Sequence, residues 1–164
     1  MYVNNVSKTY NPKDVVWKNY KDIKNKDFRI NFDYSLLGYD LKSKRLDMLL
    51  RYPKNFSFCR RHRHVASTVT LVLQGEQNII ELAKDGSKKV IHRKKGDYAI
   101  SGADALPHLE NGGATGGTVL LSMTTSDDEI LFEYFDENMK NSWFVTLQQY
   151  VNSWNNNLNY GVKA

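Results

Sequence analysis

Between residues 28 and 135, apolar and polar positions alternate in short runs. Phe28, Ile30, Phe32 and Tyr34 alternate with polar residues. Leu46, Met48, Leu50 and Tyr52 alternate with Arg45, Asp47 and Arg51, interrupted only by Leu49. Period-two alternation predicts strands with one buried face. The β-branched, apolar run 68–73 reads as a strand that ends at Gln74-Gly75. The runs 79–82 and 88–92 read as hairpin partners around Asp85-Gly86. Further strands are expected over 98–101, 118–124 and 130–135, and 103–117 reads as a long glycine-rich loop around Pro107-His108. Roughly eight to ten short strands separated by turn signals predict an all-β sandwich or barrel.

The two ends depart from this pattern. Residues 1–26 are polar and lysine-rich, with an apolar group at Val15, Val16, Trp17 and Tyr20, and are expected to form an arm ahead of a barrel over 27–140. Trp143, Phe144, Leu147, Tyr150, Val151 and Trp154 recur at the spacing of one helical stripe, with Ser142 as N-cap. Residues 141–164 are therefore expected to be a helix and tail. The helix either packs on the barrel or makes a dimer contact.

Composition narrows the class. A chain of 164 residues is one domain, and 41% apolar with 12% aromatic residues fills a core, which excludes a wholly disordered chain. Cys59 is the only cysteine, which excludes a disulfide framework. No run approaches the roughly 18 apolar residues of a membrane helix. Residues 1–10 lack the apolar stretch of a signal peptide, so the expected location is the cytoplasm. The net charge of 23 − 18 = +5 is uneven: 21 basic against 10 acidic groups up to residue 100, then 2 against 8. No helix-turn-helix or zinc-finger spacing accompanies it, so no nucleic-acid partner is expected. The clusters Arg60, Arg61, Arg63 and Lys84, Lys88, Lys89, Arg93, Lys94, Lys95 read as solvated surface or as an attraction for an anionic substrate or partner.

The candidate chemistry lies in the histidines. His62 and His64 flank Arg63 and precede a strand. On an extended segment they share a face while Arg63 points away, so two imidazoles can converge on one metal. A barrel can return His108 to the same place. His92 reads as a strand-surface residue, and Cys59 as a core thiol. Glu81 lies in the otherwise apolar run Ile79-Ile80-Glu81-Leu82. It either points inward to a metal, which would offset the penalty of burying a carboxylate, or faces solvent beside Lys88 or Lys89.

His62-Arg63-His64 with Gly75 downstream resembles the first motif of the cupin superfamily. Gly96-Asp97-Tyr98, through Gly102 and Pro107 to His108, resembles the second. Arg63, Leu73-Gln74-Gly75 and Glu81 are similar to a subgroup containing 2,4'-dihydroxyacetophenone dioxygenase, the acetylacetone-cleaving dioxygenases and the cupin domain of a zinc anti-sigma factor. The chain departs from the motif where a glutamate ligand is usual, since Thr68 and Val69 stand there.

The resemblance implies a double-stranded β-helix, the jelly-roll barrel, followed by the C-terminal helix. It implies that His62, His64 and His108 hold a divalent metal, iron(II) first and zinc(II) as the alternative, either bare or with Glu81 as fourth ligand. The implied activity is cleavage of a carbon–carbon bond in a small β-dicarbonyl or hydroxyketone with dioxygen. The alternatives are a non-catalytic zinc sensor or regulatory module, and a cupin isomerase or lyase. Phe58, Tyr98 and Phe132 are expected to shape the substrate pocket, and the assembly is expected to be a homodimer without a membrane partner.

Overall fold

The computed structural model of the chain describes residues 2–3, 11, 13–22, 24, 28–54, 57–83 and 85–156. Most of the first ten residues, Lys84 and the tail beyond 156 lie outside them. The described residues form one curled sheet. Its strands are β1 (Tyr2–Val3), β2 (Lys18–Asp22), β3 (Ile30–Asp40), β4 (Arg45–Tyr52), β5 (His62–His64), β6 (Ser67–Leu82), β7 (Lys88–Lys94), β8 (Tyr98–Ser101), β9 (His108–Asn111), β10 (Gly117–Thr124), β11 (Ile130–Phe135) and β12 (Ser142–Thr146). The helix α1 spans Leu147–Asn155. Strand order is β1-β3-β4-β10-β6-β9-β5-β11-β12, with β2 on β3 and both β7 and β8 on β6.

Alternation in β4 and β10 builds the core. Leu46, Met48, Leu50 and Tyr52 bury one face of β4, and Val119, Leu121 and Met123 do so on β10. Tyr34 of β3 meets Tyr150 and Trp154 of α1 edge to face, so the helix closes one side of this core.

Three expectations about the elements are corrected. First, β6 does not end at Gln74-Gly75 but continues to Leu82. Opposite β10, Thr118 pairs with Gln74 while Val119 pairs with Val72, so one residue of β6 is extra. Two residues past the extra Leu73, Gly75 takes a positive φ of 62°, and a Cβ there would lie 2.0 Å from the Gly116 carbonyl oxygen. Only glycine fits both conditions. The bulge also switches the inward face of β6 from Thr68, Thr70 and Val72 to Gln77 and Ile79, all buried.

Second, part of the stretch expected as an arm pairs with the sheet. Lys18–Asp22 pairs along β3, and Tyr20 is buried between polar neighbours. One aromatic residue within five positions gave too weak a period to read. Third, 142–146 is an edge strand on β11, and the helix starts only at Leu147. Ser142 is not its cap. The Thr146 hydroxyl accepts from the Gln149 N–H, and the Gln149 side-chain oxygen accepts from the Thr146 N–H, a capping box. Leu147, Tyr150, Val151 and Trp154 are its buried stripe, while Phe144 on β12 is exposed. The loop expected over 103–117 likewise contains β9, which carries His108 into the sheet.

Candidate metal centre

The centre is assembled on two short neighbouring strands. His62 and His64 lie on one face of β5, and Arg63 lies on the other, where its Nε donates to Glu133 at 2.5 Å. His62 pairs directly with His108 across β5 and β9. Glu110 lies two residues beyond His108 on β9, hence on the same face. His62, His64, His108 and Glu110 are all buried, and one ligand atom from each lies within 4.8 Å of every other.

The hydrogen bonds decide which atoms face inward. His62 Nδ1 is 2.8 Å from the Arg60 carbonyl oxygen, and His108 Nδ1 is 2.8 Å from that of Leu106. Carbonyl oxygens only accept, so each Nδ1 carries the proton and each Nε2 keeps its lone pair when the ring is neutral. Nε2 of His62 lies 3.2 Å from Nε2 of His64. Imidazole nitrogens bind a divalent metal at about 2.0–2.1 Å, so two on neighbouring positions stand about 2.9–3.4 Å apart. Nε2 of His108 is buried without a hydrogen-bond partner, as is Nδ1 of His64. The first of these orphaned atoms faces Glu110 Oε1 at 3.5 Å, too long for a good hydrogen bond. The donor set therefore fits a divalent cation.

Electrostatics point the same way. Burial first, then the charge of His108, holds His62 down at about 4. Burial and the neighbouring imidazoles hold His64 well below its ordinary value. Both are neutral ligands at neutral pH. Burial also pulls His108 down, but the neighbouring Glu110 carboxylate outweighs it and raises it. Burial pushes Glu110 up, and His108 with the other imidazoles outweighs this and keeps it ionised.

Glu110 is itself held from behind. The Tyr52 hydroxyl donates to Oε2, and Gln77 Nε2 donates to Oε1 at 3.3 Å. Gln77 in turn accepts from Arg93 Nη1 at 3.2 Å. Phe132 sets its ring against those of His62 and His64 at interplanar angles of 77° and 84°. Tyr134 lies 5.7 Å from His62. Cys59 Sγ is 3.6 Å from His62 Nδ1, but burial pushes the thiol up, so it stays protonated and outside the ligand group.

The structure thus brings together His62, His64, His108 and Phe132 and separates the other expected residues. Glu81 is on the inward face, paired with His108 on one side and Lys89 on the other. It is not among the converging ligands; its carboxylate lies 3.9 Å from Lys89 Nζ. Glu110 converges with the three histidines, and its spacing of two from His108 on a strand was the signal for it. Tyr98 is 60% exposed on the outer face of β8, because it pairs with Leu71 rather than with an inward residue. Phe58 meets Phe28 edge to face, with ring centroids 5.6 Å apart. Tyr52, Gln77 and Tyr134 had no local signal. His92 is exposed, as expected, and lies 2.7 Å from Asn78 Oδ1.

No family model matches the chain, and no curated protein matches it. Solved structures do. A candidate acetylacetone dioxygenase of Methylibium petroleiphilum PM1 superimposes with a TM-score of 0.63 at 13% identity, over 94% of this chain and 99% of that one. The acetylacetone dioxygenase of Acinetobacter johnsonii gives 0.62 at 10% identity, over 95% of each chain. The chain has the cupin fold. An RmlC-like cupin of Ralstonia eutropha JMP134 gives 0.62 at 13% identity, over 94% of this chain and 87% of that one. In this cupin barrel the buried group of three histidines and one glutamate is a metal-binding cluster suited to a divalent cation. No helix among the described residues is long and apolar enough to cross a membrane.

Proposed function

We propose that the protein is an iron(II)-dependent dioxygenase that cleaves a carbon–carbon bond in a small β-dicarbonyl or hydroxyketone. The observation that carries this reading is the convergence of His62, His64, His108 and Glu110 inside the barrel. The likeness in fold to acetylacetone dioxygenases supports it. Iron(II) supplies Lewis acidity toward the substrate oxygens and electrons toward dioxygen. The chain does the rest. Nε2 of His62 and of His108 are aimed by the carbonyls of Arg60 and Leu106. Tyr52 and Gln77 orient Glu110. Phe132 and Tyr134 line the imidazoles with apolar surface and keep water from them.

One observation favours a second reading. Four protein ligands complete a tetrahedral zinc site, whereas a six-coordinate iron keeps two positions for ligands. A zinc-holding regulatory module is therefore the alternative. Metal analysis followed by oxygen uptake separates them. Protein loaded anaerobically with iron(II) is expected to consume oxygen with members of a diketone and hydroxyketone panel. Stoichiometric zinc and no uptake with the iron form would support the regulatory module instead. On the dioxygenase reading the protein acts as a cytoplasmic homodimer, where its single buried thiol Cys59 stays reduced; sedimentation of the metal-loaded protein tests the assembly.

A further inference from the structure

Arg93 and Arg61 are half-buried arginines without a carboxylate partner among the described residues; Arg61 donates to the Glu137 carbonyl and lies over the Phe28 ring, whereas Arg93 is linked to the metal cluster through Gln77. Arg93 lies on the edge strand β7, opposite Gln77 of β6, on the inward side of the sheet. It is half-buried, between exposed His92 and Lys94. Arg45, Arg51, Arg60 and Arg63 each have a carboxylate partner. Among the described residues no carboxylate lies within 4.0 Å of Arg93. One guanidinium N–H is taken up by the Gln77 side-chain oxygen, and a guanidinium has five.

Gln77 explains why this charge stays free. Its amide stands between Arg93 and Glu110, with one end 3.2 Å from the guanidinium and the other 3.3 Å from the carboxylate. A neutral spacer keeps Glu110 for the metal cluster and leaves Arg93 without a counter-charge. A half-buried cation with unused donors is costly unless an anion meets it. Lys89, on the same side of β7, adds positive charge at the edge and is only loosely engaged by Glu81 at 3.9 Å.

We infer that Arg93 receives a carboxylate at the far end of the substrate, so that the compound taken at the metal cluster is an oxo acid rather than a neutral diketone. This rests on the metal-centre reading of the same site. One end of such a molecule chelates through two carbonyl oxygens, and the other is held by the planar fork of Arg93, which fits a carboxylate through two parallel hydrogen bonds.

The test uses cobalt(II)-loaded protein and two probes, 4,6-dioxoheptanoate and heptane-2,4-dione. They share the dicarbonyl chelate and differ in the terminal carboxylate. Metal content is measured first, then binding by calorimetry and by the cobalt absorption band. The wild type is expected to bind the acid roughly tenfold or more tightly than the dione. Arg93→Met is expected to keep its metal and lose that preference, and Arg93→Lys to recover part of it. Stoichiometric metal with no binding of the acid, equal binding of the two probes, or a preference that survives in Arg93→Met overturns the inference alone. Absence of stoichiometric metal in the wild type overturns the metal-centre reading and the inference with it.

Discussion

Oε1 of Glu110 stands 3.5 Å from Nε2 of His108, and both atoms belong to buried side chains two residues apart on β9. In the metal-free protein this contact is an ion pair, since Glu110 holds His108 above its ordinary value and His108 keeps Glu110 ionised. A divalent cation would take the place of the proton between them.

Glu110→Gln removes the one anionic member of the cluster while keeping its shape. The expected outcome is a loss of metal affinity of at least roughly ten- to a hundredfold, on the scale that even supporting groups contribute. Glu81→Gln, outside the ligand group, is expected to leave affinity within about twofold of wild type. Competition with a chromophoric chelator measures both. Equal losses in the two variants would return Glu81 to the ligand set.

Tyr52→Phe deletes only the hydroxyl that donates to Glu110 Oε2. The buried ring keeps its packing against Phe32. Metal affinity is expected to fall roughly tenfold, with little change in the circular dichroism spectrum of the folded chain. A variant with unchanged affinity would show that Gln77 alone suffices to orient Glu110.

The stability of the metal-free protein is expected to fall in mild acid. His62 is held at about 4 against an ordinary 6.5, chiefly by burial, and His64 is lowered for the same reason. Below pH 6.5 the unfolded chain takes up protons that these two native imidazoles refuse, so their contribution shrinks as pH falls from about 6.5 toward about 4. His108 acts in the opposite sense. Its raised value gives a contribution that is full below 6.5 and lost as pH rises through the raised value. Two lowered histidines outweigh one raised histidine. Calorimetry of chelator-treated protein should show the midpoint temperature dropping through this window; a rising midpoint would contradict the assignment.

Gly75→Ala places a methyl group 2.0 Å from the Gly116 carbonyl oxygen at a φ of 62°. Either strand must shift, so a loss of more than about 2 kcal/mol is expected in urea denaturation. Gly86→Ala is the comparison. Its φ of 84° carries the same backbone strain, but nothing lies within 4 Å of the added carbon. Its smaller loss, about 1 kcal/mol, isolates the backbone part.

Much of this was legible locally. The placement of His62 and His64 on one face, with Arg63 on the other, follows from the period of a strand, and the structure agrees. Glu110 was equally legible from the His108-x-Glu110 spacing, but the expected loop over that segment hid it. Thr146-x-x-Gln149 announced the helix start, yet the aromatic residues Trp143 and Phe144 also fit a helical stripe and drew the expected boundary too early. For Glu81 the sequence leaves two roles open, an inward ligand or the partner of a lysine. Its carboxylate lies 3.9 Å from Lys89 Nζ on β7 and outside the converging group, and no local spacing weighs one neighbour against the other.

The sequence by itself determined what depends on neighbours a few residues apart: the alternating strands over 45–52, 118–124 and 130–135, the shared face of His62 and His64, and the turn at Asp85-Gly86. Side-chain direction along a strand repeats every two residues, so these features need no knowledge of the rest of the chain. Only the tertiary structure decided what depends on pairing between distant strands. The register of β5 on β9 brings His108 beside His62 across 46 residues of chain. The bulge at Leu73 turns Gln77 inward toward Glu110, because one extra residue reverses the face of every position after it. The place of Gln77 between Glu110 and Arg93 follows from that reversal and from the sheet curling until β6, β9 and β5 share one interior.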